Sequence, residues 1–427
     1  MSAAPRLSLL EHLYTMPKPI APFALADSGL LLPTNIFNTQ KSDYAHENKP
    51  SLFLGQEPGL FDTVNKVHPE IWEIYKNMRS LDWDENEFGF EVCNSEFKTQ
   101  PKSIADCMIR TLAWQWEADS VAARTILPIM APFISAPELQ AAWGRITDNE
   151  VLHASTYSEI VRLSFDDPSV VLDEVLRVKE AMQRLSVVAK IMENAYVVSH
   201  QYALGMLDKN KKEDFIKIYD AAFMFTVAML ILERIQFMAS FAVTFAIGEL
   251  GLFMPIAKAV QKICQDEYEI HQNLDKAVLR NEMRLDVGKQ AYARNKHMIF
   301  AAISEARNCE LTWNRYVLAD EPLPGLTVKN LDAWVDHNTA DVFAFFGEKP
   351  KDFTSPSKIP LSYMPRWMNI SKTQASPQEQ QNGQYKVNVV RDDAQGKIFS
   401  MTLAGNGTFQ RRDETGALSA PEEIFVK

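Results

Sequence analysis

From about residue 60 to residue 350, apolar residues recur at steps of three and four. That period predicts long helices and few strands. The stripe from Leu139 to Val161 departs from the usual pattern. It reads Leu139, Ala142, Ile146, then Glu150, His153, Tyr157, then Ile160. Such positions normally hold aliphatics, and three of these are polar. A second stripe behaves likewise: Ile256, Val260, Ile263, then Glu267 and His271, then Leu274 and Val278. Two further runs each carry a lone acid, Glu117 behind Ile109, Leu112 and Trp116, and Glu233 within Leu230-Ile-Leu232. Ser135-Ala-Pro-Glu138 predicts a capping box at a helix start. Outside these limits the periodicity fades. Residues 1–50, rich in Pro, Ser and Asn, predict an extended arm, and residues 51–350 a helical domain. Pro350, Pro356 and Pro360 break helices, so residues 351–427 predict a flexible tail. Alternation around Gly405-Asn-Gly407 predicts a small hairpin within it.

Burying a carboxylate without a partner costs several kcal/mol. Either these faces meet solvent, or something binds them. Glu150 and His153 are three apart and Glu267 and His271 four apart, so each pair shares one helix face. Taken singly, each acid has an ordinary explanation. A solvated face would serve for Glu150 with His153 and for Glu117, and an ion pair with a nearby arginine for Glu233. Taken together, Glu117, Glu150 with His153, Glu233, and Glu267 with His271 are the ligand set of a dimetal-carboxylate helical bundle. Oxygen-rich sites with a few imidazoles suit iron or manganese.

Composition narrows the classes. Apolar residues make up 46% and charged residues 23%, ordinary for a soluble globular chain. A net charge of −11 argues against a nucleic-acid partner, which needs a basic surface. Cys93, Cys107, Cys264 and Cys309 form no CxxC pair, which suggests reduced cytosolic thiols. The N-terminus lacks a signal-peptide pattern. Ala221 to Gly248 is apolar and long enough to span a bilayer, but Glu233, Arg234 and Gln236 sit at its centre. Charge there is costly in lipid, so a buried core helix and no membrane are expected.

At this point the chain resembles the small subunit of class I ribonucleotide reductases. The family's ExxHxxxY appears as Glu150-Val-Leu-His153-Ala-Ser-Thr-Tyr157, and its ExxxFxxxF helix as Glu233 with Phe237, Ser240 and Phe241. Its DExxH resembles Asp266-Glu267 with His271, and its entry motif resembles Phe53-Leu-Gly55-Gln56. Trp83 falls where a radical-transfer tryptophan is expected, and Pro377-Gln378-Glu379 followed by Tyr385 resembles the relay tail. Three departures stand out. Glu267 to His271 is ExxxH, one residue longer than usual, and a local π-bulge would absorb it. Glu269, two residues from His271, points to the opposite face, so Glu267 is the expected ligand. Glu117 stands where many members have Asp, which leaves the metal open. The segment after Tyr385 has no family role beyond its last residues.

The resemblance implies an all-α, ferritin-like dimetal-carboxylate bundle with extended N- and C-terminal tails. It implies two metal ions, with Fe/Fe expected and Mn/Fe or Mn/Mn as alternatives. With O2 and a reductant, these would oxidise Tyr157 to a radical sheltered by Phe237, Phe241 and Ile263. Trp83, Asp266 and His153 would couple the metals to the surface, and Tyr385 would pass the oxidising equivalent to the large subunit. Nucleotide would be reduced on that partner, and Glu422-Glu-Ile-Phe425-Val would dock there. A cytoplasmic homodimer is implied too. Two rivals remain at this stage: another ferritin-like dimetal oxidase, and a metal-storage or purely structural bundle.

Overall fold

Two helices longer than 30 residues run through the interior, and each is interrupted by one wide π turn. The first comprises α7 (Lys212–Ile231), a π turn (Leu232–Gln236) and α8 (Phe237–Glu249). The second comprises α9 (Met254–Gln265), a π turn (Asp266–His271) and α10 (Gln272–Arg284). Around them lie α1 (Pro69–Ser80), α2 (Val92–Thr99), α3 (Lys102–Met130), α4 (Pro137–Ser164), α5 (Pro168–Val175) and α6 (Lys179–Ala203). The helices α11 (Asp286–Val317), α12 (Val328–Phe345) and the single turn α13 (Met364–Trp367) complete the bundle. The computed structural model describes residues 50–55, 61, 66–175, 178–319 and 323–369, with short pieces at 24–25, 31–32, 401–403 and 409–411.

The long apolar run is core. Almost every residue from Ala221 to Gly248 is buried, because α3, α6, α10, α11 and α12 pack around it. A helix apolar on all sides needs such enclosure. Helix α4 lies against α3 and α1, which turns its mixed stripe inward.

The expected capping box does not form. Pro137 takes the first helical position, so Ser135 lies before the cap and Ala136 occupies it. Ser135 instead receives the Gly55 N–H at 3.0 Å, and Glu138 receives the Val67 N–H at 2.9 Å. Both therefore tie the upstream chain to the start of α4. Glu282 on α10 completes that anchorage. Fully buried, it accepts from Ser51 Oγ at 2.7 Å, from Leu52 N at 2.8 Å and from the Tyr219 hydroxyl.

The chain divides into two compact units, residues 1–375 and 376–427. In the second, Met401–Leu403 pairs antiparallel with Phe409–Arg411 on either side of the expected hairpin turn, whose Gly-Asn-Gly lies outside the described residues. Most of the N-terminal arm, the relay tail with Tyr385 and the docking peptide at 422–426 lie outside the described residues.

Candidate metal centre

Four helices bring six buried donors to one point. Glu150 and His153 come from one face of α4, Glu233 from the first π turn, and Glu267 and His271 from the second. The sixth donor is Asp119 on α3. Donor atoms of Asp119, Glu150, His153 and Glu267 lie within 4.8 Å of one another, as do those of Glu150, Glu233, Glu267 and His271. Glu150 and Glu267 belong to both groups, so the two groups form adjoining halves of one site.

The geometry shows how they are shared. His153 Nδ1 lies 3.0 Å from Glu267 Oε1 and 3.8 Å from Glu150 Oε2. His271 Nδ1 lies 2.9 Å from Glu267 Oε2 and 3.5 Å from Glu150 Oε1. Each shared carboxylate thus offers one oxygen to each half. Asp119 closes the His153 half, with Oδ2 3.9 Å from Nδ1, and Glu233 closes the other.

Glu117 is not among them. It is buried on α3, but it stands two residues before Asp119 and so about 200° away around the helix. Burial pushes its carboxyl up to about 7, against the opposing charge of Arg184. The acid facing the centre is Asp119, fully buried among Thr111, Gln115, Ala122 and Ile126 on the same stripe.

The expected π turn is present at Asp266–His271 and places Glu267 and His271 on one side. A second one, at Glu233, carried no signal in the sequence. Arg234 does not pair with Glu233. It turns to Asn338 and Asp341 on α12, with its guanidinium 5.2 Å from the Tyr268 ring.

The electrostatics are those of a crowded anionic site. Burial, then repulsion from Glu150, holds the Asp119 carboxyl well above its usual range; burial and Glu267 do the same to Glu233. Burial also opposes charge on Glu267, but the charge of His271, with Glu233 and His153 close by, holds it well below its usual range. Burial works against both imidazolium forms, yet Asp266, Glu150 and Glu267 raise His153, and Glu267 and Glu150 raise His271 to about 10. Both oxygens of Asp119, Glu150, Glu233 and Glu267 lack hydrogen-bond partners. Orphaned buried carboxylates in such number call for cations. Two divalent ions would neutralise all four, and an oxygen-rich set with two imidazoles fits iron or manganese.

Protons therefore compete with metal here. Asp119 and Glu233 keep theirs to higher pH than ordinary carboxyls, and both imidazoles must lose theirs to bind. Affinity for Mn2+ should fall as pH drops through the neutral range, with proton release on loading. Calorimetry in buffers of different ionisation enthalpy measures that release, and a pH-independent affinity would contradict it.

Around the centre, Trp83 Nε1 donates to Asp266 Oδ2 at 2.8 Å, and His153 Nε2 lies 3.1 Å from the same oxygen. The Trp83 and His153 rings lie near parallel, 6.1 Å apart. Tyr157 is 1% exposed and its hydroxyl has no partner. Burial, then the charge of Asp119, holds the phenol well above its usual pKa. An apolar crevice lined by Ile109, Leu112, Trp116, Val161, Phe165 and Val171 reaches this ring. These neighbours were legible only as ordinary core. Phe237, Phe241 and Ile263 are fully buried, and Phe237 stacks on Phe241 at 5.6 Å and meets Trp114 edge-on at 5.0 Å.

Fold and site together define a helical bundle with a buried dimetal-carboxylate centre. The family model "Ribonucleotide reductase, small chain" matches residues 61–351, and the chain belongs to that family. It is 22% identical over 379 residues to the ribonucleoside-diphosphate reductase subunit beta of Buchnera aphidicola, covering 85% of this chain and 97% of that one. The corresponding subunit of enterobacteria phage T4 is 22% identical over 384 residues, covering 86% and 98%. Among solved structures, the ribonucleotide reductase R2 subunit from Clostridium botulinum superposes with a TM-score of 0.64 at 17% identity, covering 78% of this chain and 98% of that one. The Streptococcus sanguinis dimanganese(II)-NrdF gives a TM-score of 0.57 at 10% identity, covering 72% and 98%. These likenesses agree on a ferritin-like fold.

Proposed function

We infer that this chain is the radical-generating beta subunit of a class I ribonucleoside-diphosphate reductase. The observation that carries this is Tyr157, buried and unpartnered, on the same helix face as two of the six donors. Asp119, Glu150, His153, Glu233, Glu267 and His271 would hold two ions, which supply one-electron oxidising power after reaction with O2 and a reductant. Fe/Fe is the favoured pair, with Mn/Fe or Mn/Mn as alternatives.

The chain's own residues do the rest. The Tyr157 hydroxyl makes no hydrogen bond, and Asp119 is the foremost charge acting on it, so that carboxylate would receive the phenol proton on oxidation. The surrounding apolar side chains then keep water and reductants from the ring. Asp266 joins Trp83 to His153, giving an electron and proton route from the centre toward the surface. Tyr385 would carry the oxidising equivalent on to the large subunit, where the ribonucleotide is reduced. The C-terminal peptide would dock there. The working assembly is a cytoplasmic homodimer with that subunit. No disulfide joins the four cysteines, in keeping with a reducing compartment.

The test is electron paramagnetic resonance after loading the metal-free chain with Fe2+, Mn2+ or both under O2. A tyrosyl spectrum is expected, and Tyr157→Phe should remove it while metal content stays native. The variant should fold as well as the parent, because the lost hydroxyl makes no hydrogen bond. A spectrum that survives Tyr157→Phe would place the radical elsewhere.

A further inference from the structure

The two imidazoles of the centre are alike on their inner nitrogens and differ on their outer ones. Each turns Nδ1 to the shared carboxylates, at 3.0 Å for His153 and 2.9 Å for His271. His153 has Asp266 at its Nε2. His271 Nε2 is buried with no hydrogen-bond partner. Metal-ligating histidines almost always give their second N–H to an acceptor, which fixes the ring and strengthens the ligand.

A carboxylate in equal need stands one turn away. Asp275 is 2% exposed, and its Oδ2 has no hydrogen-bond partner. Four residues separate it from His271, so both occupy one face where the π turn passes into α10. Helical side chains lean toward the N-terminus, which is the direction of His271 from Asp275. Burial lifts its carboxyl well above the usual range, and the charge of His271 is the foremost influence opposing that.

We propose that Asp275 accepts the Nε2–H of His271 when Nδ1 binds metal, and so acts as the positioning residue for the Glu233 half of the centre. The inference rests on the two-half metal site described above. It also sets Asp275 apart from Asp266. Asp266 additionally takes the Trp83 N–H and lies on the route to the surface, whereas Asp275 serves metal retention alone.

The experiment titrates the metal-free full-length chain with Mn2+, counting free ion by electron paramagnetic resonance. The native chain should take up two ions. Asp275→Ala should bind one of them about 10- to 100-fold more weakly. The exchange-coupled dimanganese signal would then give way to a mononuclear one at limiting Mn2+. Asp275→Asn, which keeps an acceptor oxygen and the packing, should fall between Ala and native. Native affinity for both ions in Asp275→Ala overturns the proposal. So does equal weakening of both ions in Asp275→Asn, which indicates a structural role. Glu267→Ala run alongside separates the failures: if it too retains both ions, the site itself is wrong.

Discussion

Removing the carboxylate of Glu267 is expected to abolish uptake of both ions. Its two oxygens face different halves of the centre, 3.0 Å from His153 and 2.9 Å from His271. Glu267→Ala therefore strips a donor from each half at once and leaves both imidazoles without their nearest anion. The loss should exceed the ~10–100-fold typical of an outer partner. Asp119→Ala should weaken the His153 half first, because Asp119 belongs to that group alone. Glu117→Gln supplies the contrast. Glu117 lies outside both groups, and its replacement should leave two ions per chain. Metal analysis after gel filtration checks all three. Two ions retained in Asp119→Ala, with loss in Glu117→Gln, would reverse the assignment on α3.

That contrast also shows how far the sequence could be read. The stripes holding Glu150, His153, Glu267 and His271 stood out because polar side chains interrupted otherwise aliphatic rows. Helix α3 offered no such contrast. It is buried on more than one face, so Glu117 and Asp119 each look like a lone acid in an apolar run. The row through Asp119 holds Thr111 and Gln115 as well, and a row of small and polar residues leading to an acid was the available signal. The π turn at Asp266–His271 was legible because the extra residue separates two ligands. At Glu233 the ligand stands alone, so nothing in the spacing reveals an insertion. Long-range partners were hidden throughout. No local pattern ties Asp266 to Trp83, 183 residues away, or Glu310 to Arg184, 126 residues away.

The second of those pairs predicts the largest effect on stability. Arg184 on α6 is fully buried, and it donates to Glu310 through Nε at 2.8 Å and a terminal nitrogen at 2.7 Å. Its guanidinium lies 3.5 Å from the Trp114 ring centre and 4.3 Å from that of Trp313. It also donates to the Gln236 carbonyl at 2.8 Å and to Ser240 Oγ at 3.1 Å, where the π turn bearing Glu233 rejoins regular helix. Arg184→Met should destabilise the chain by about 3–5 kcal/mol, the range for stripping one partner from a buried ion pair. Most of that loss is the uncompensated Glu310 charge. Adding Glu310→Gln should therefore recover part of it, since the neutral amide needs no cation. Chemical denaturation of metal-free Arg184→Met, Glu310→Gln and the double variant measures these changes. A Mn2+ titration then reads the second consequence: with the Gln236 carbonyl released, Glu233 loses its support, and the half it closes should bind more weakly even in the double variant. Strictly additive destabilisation, with native uptake in all three, would mean that Arg184 neither answers Glu310 nor steadies the π turn.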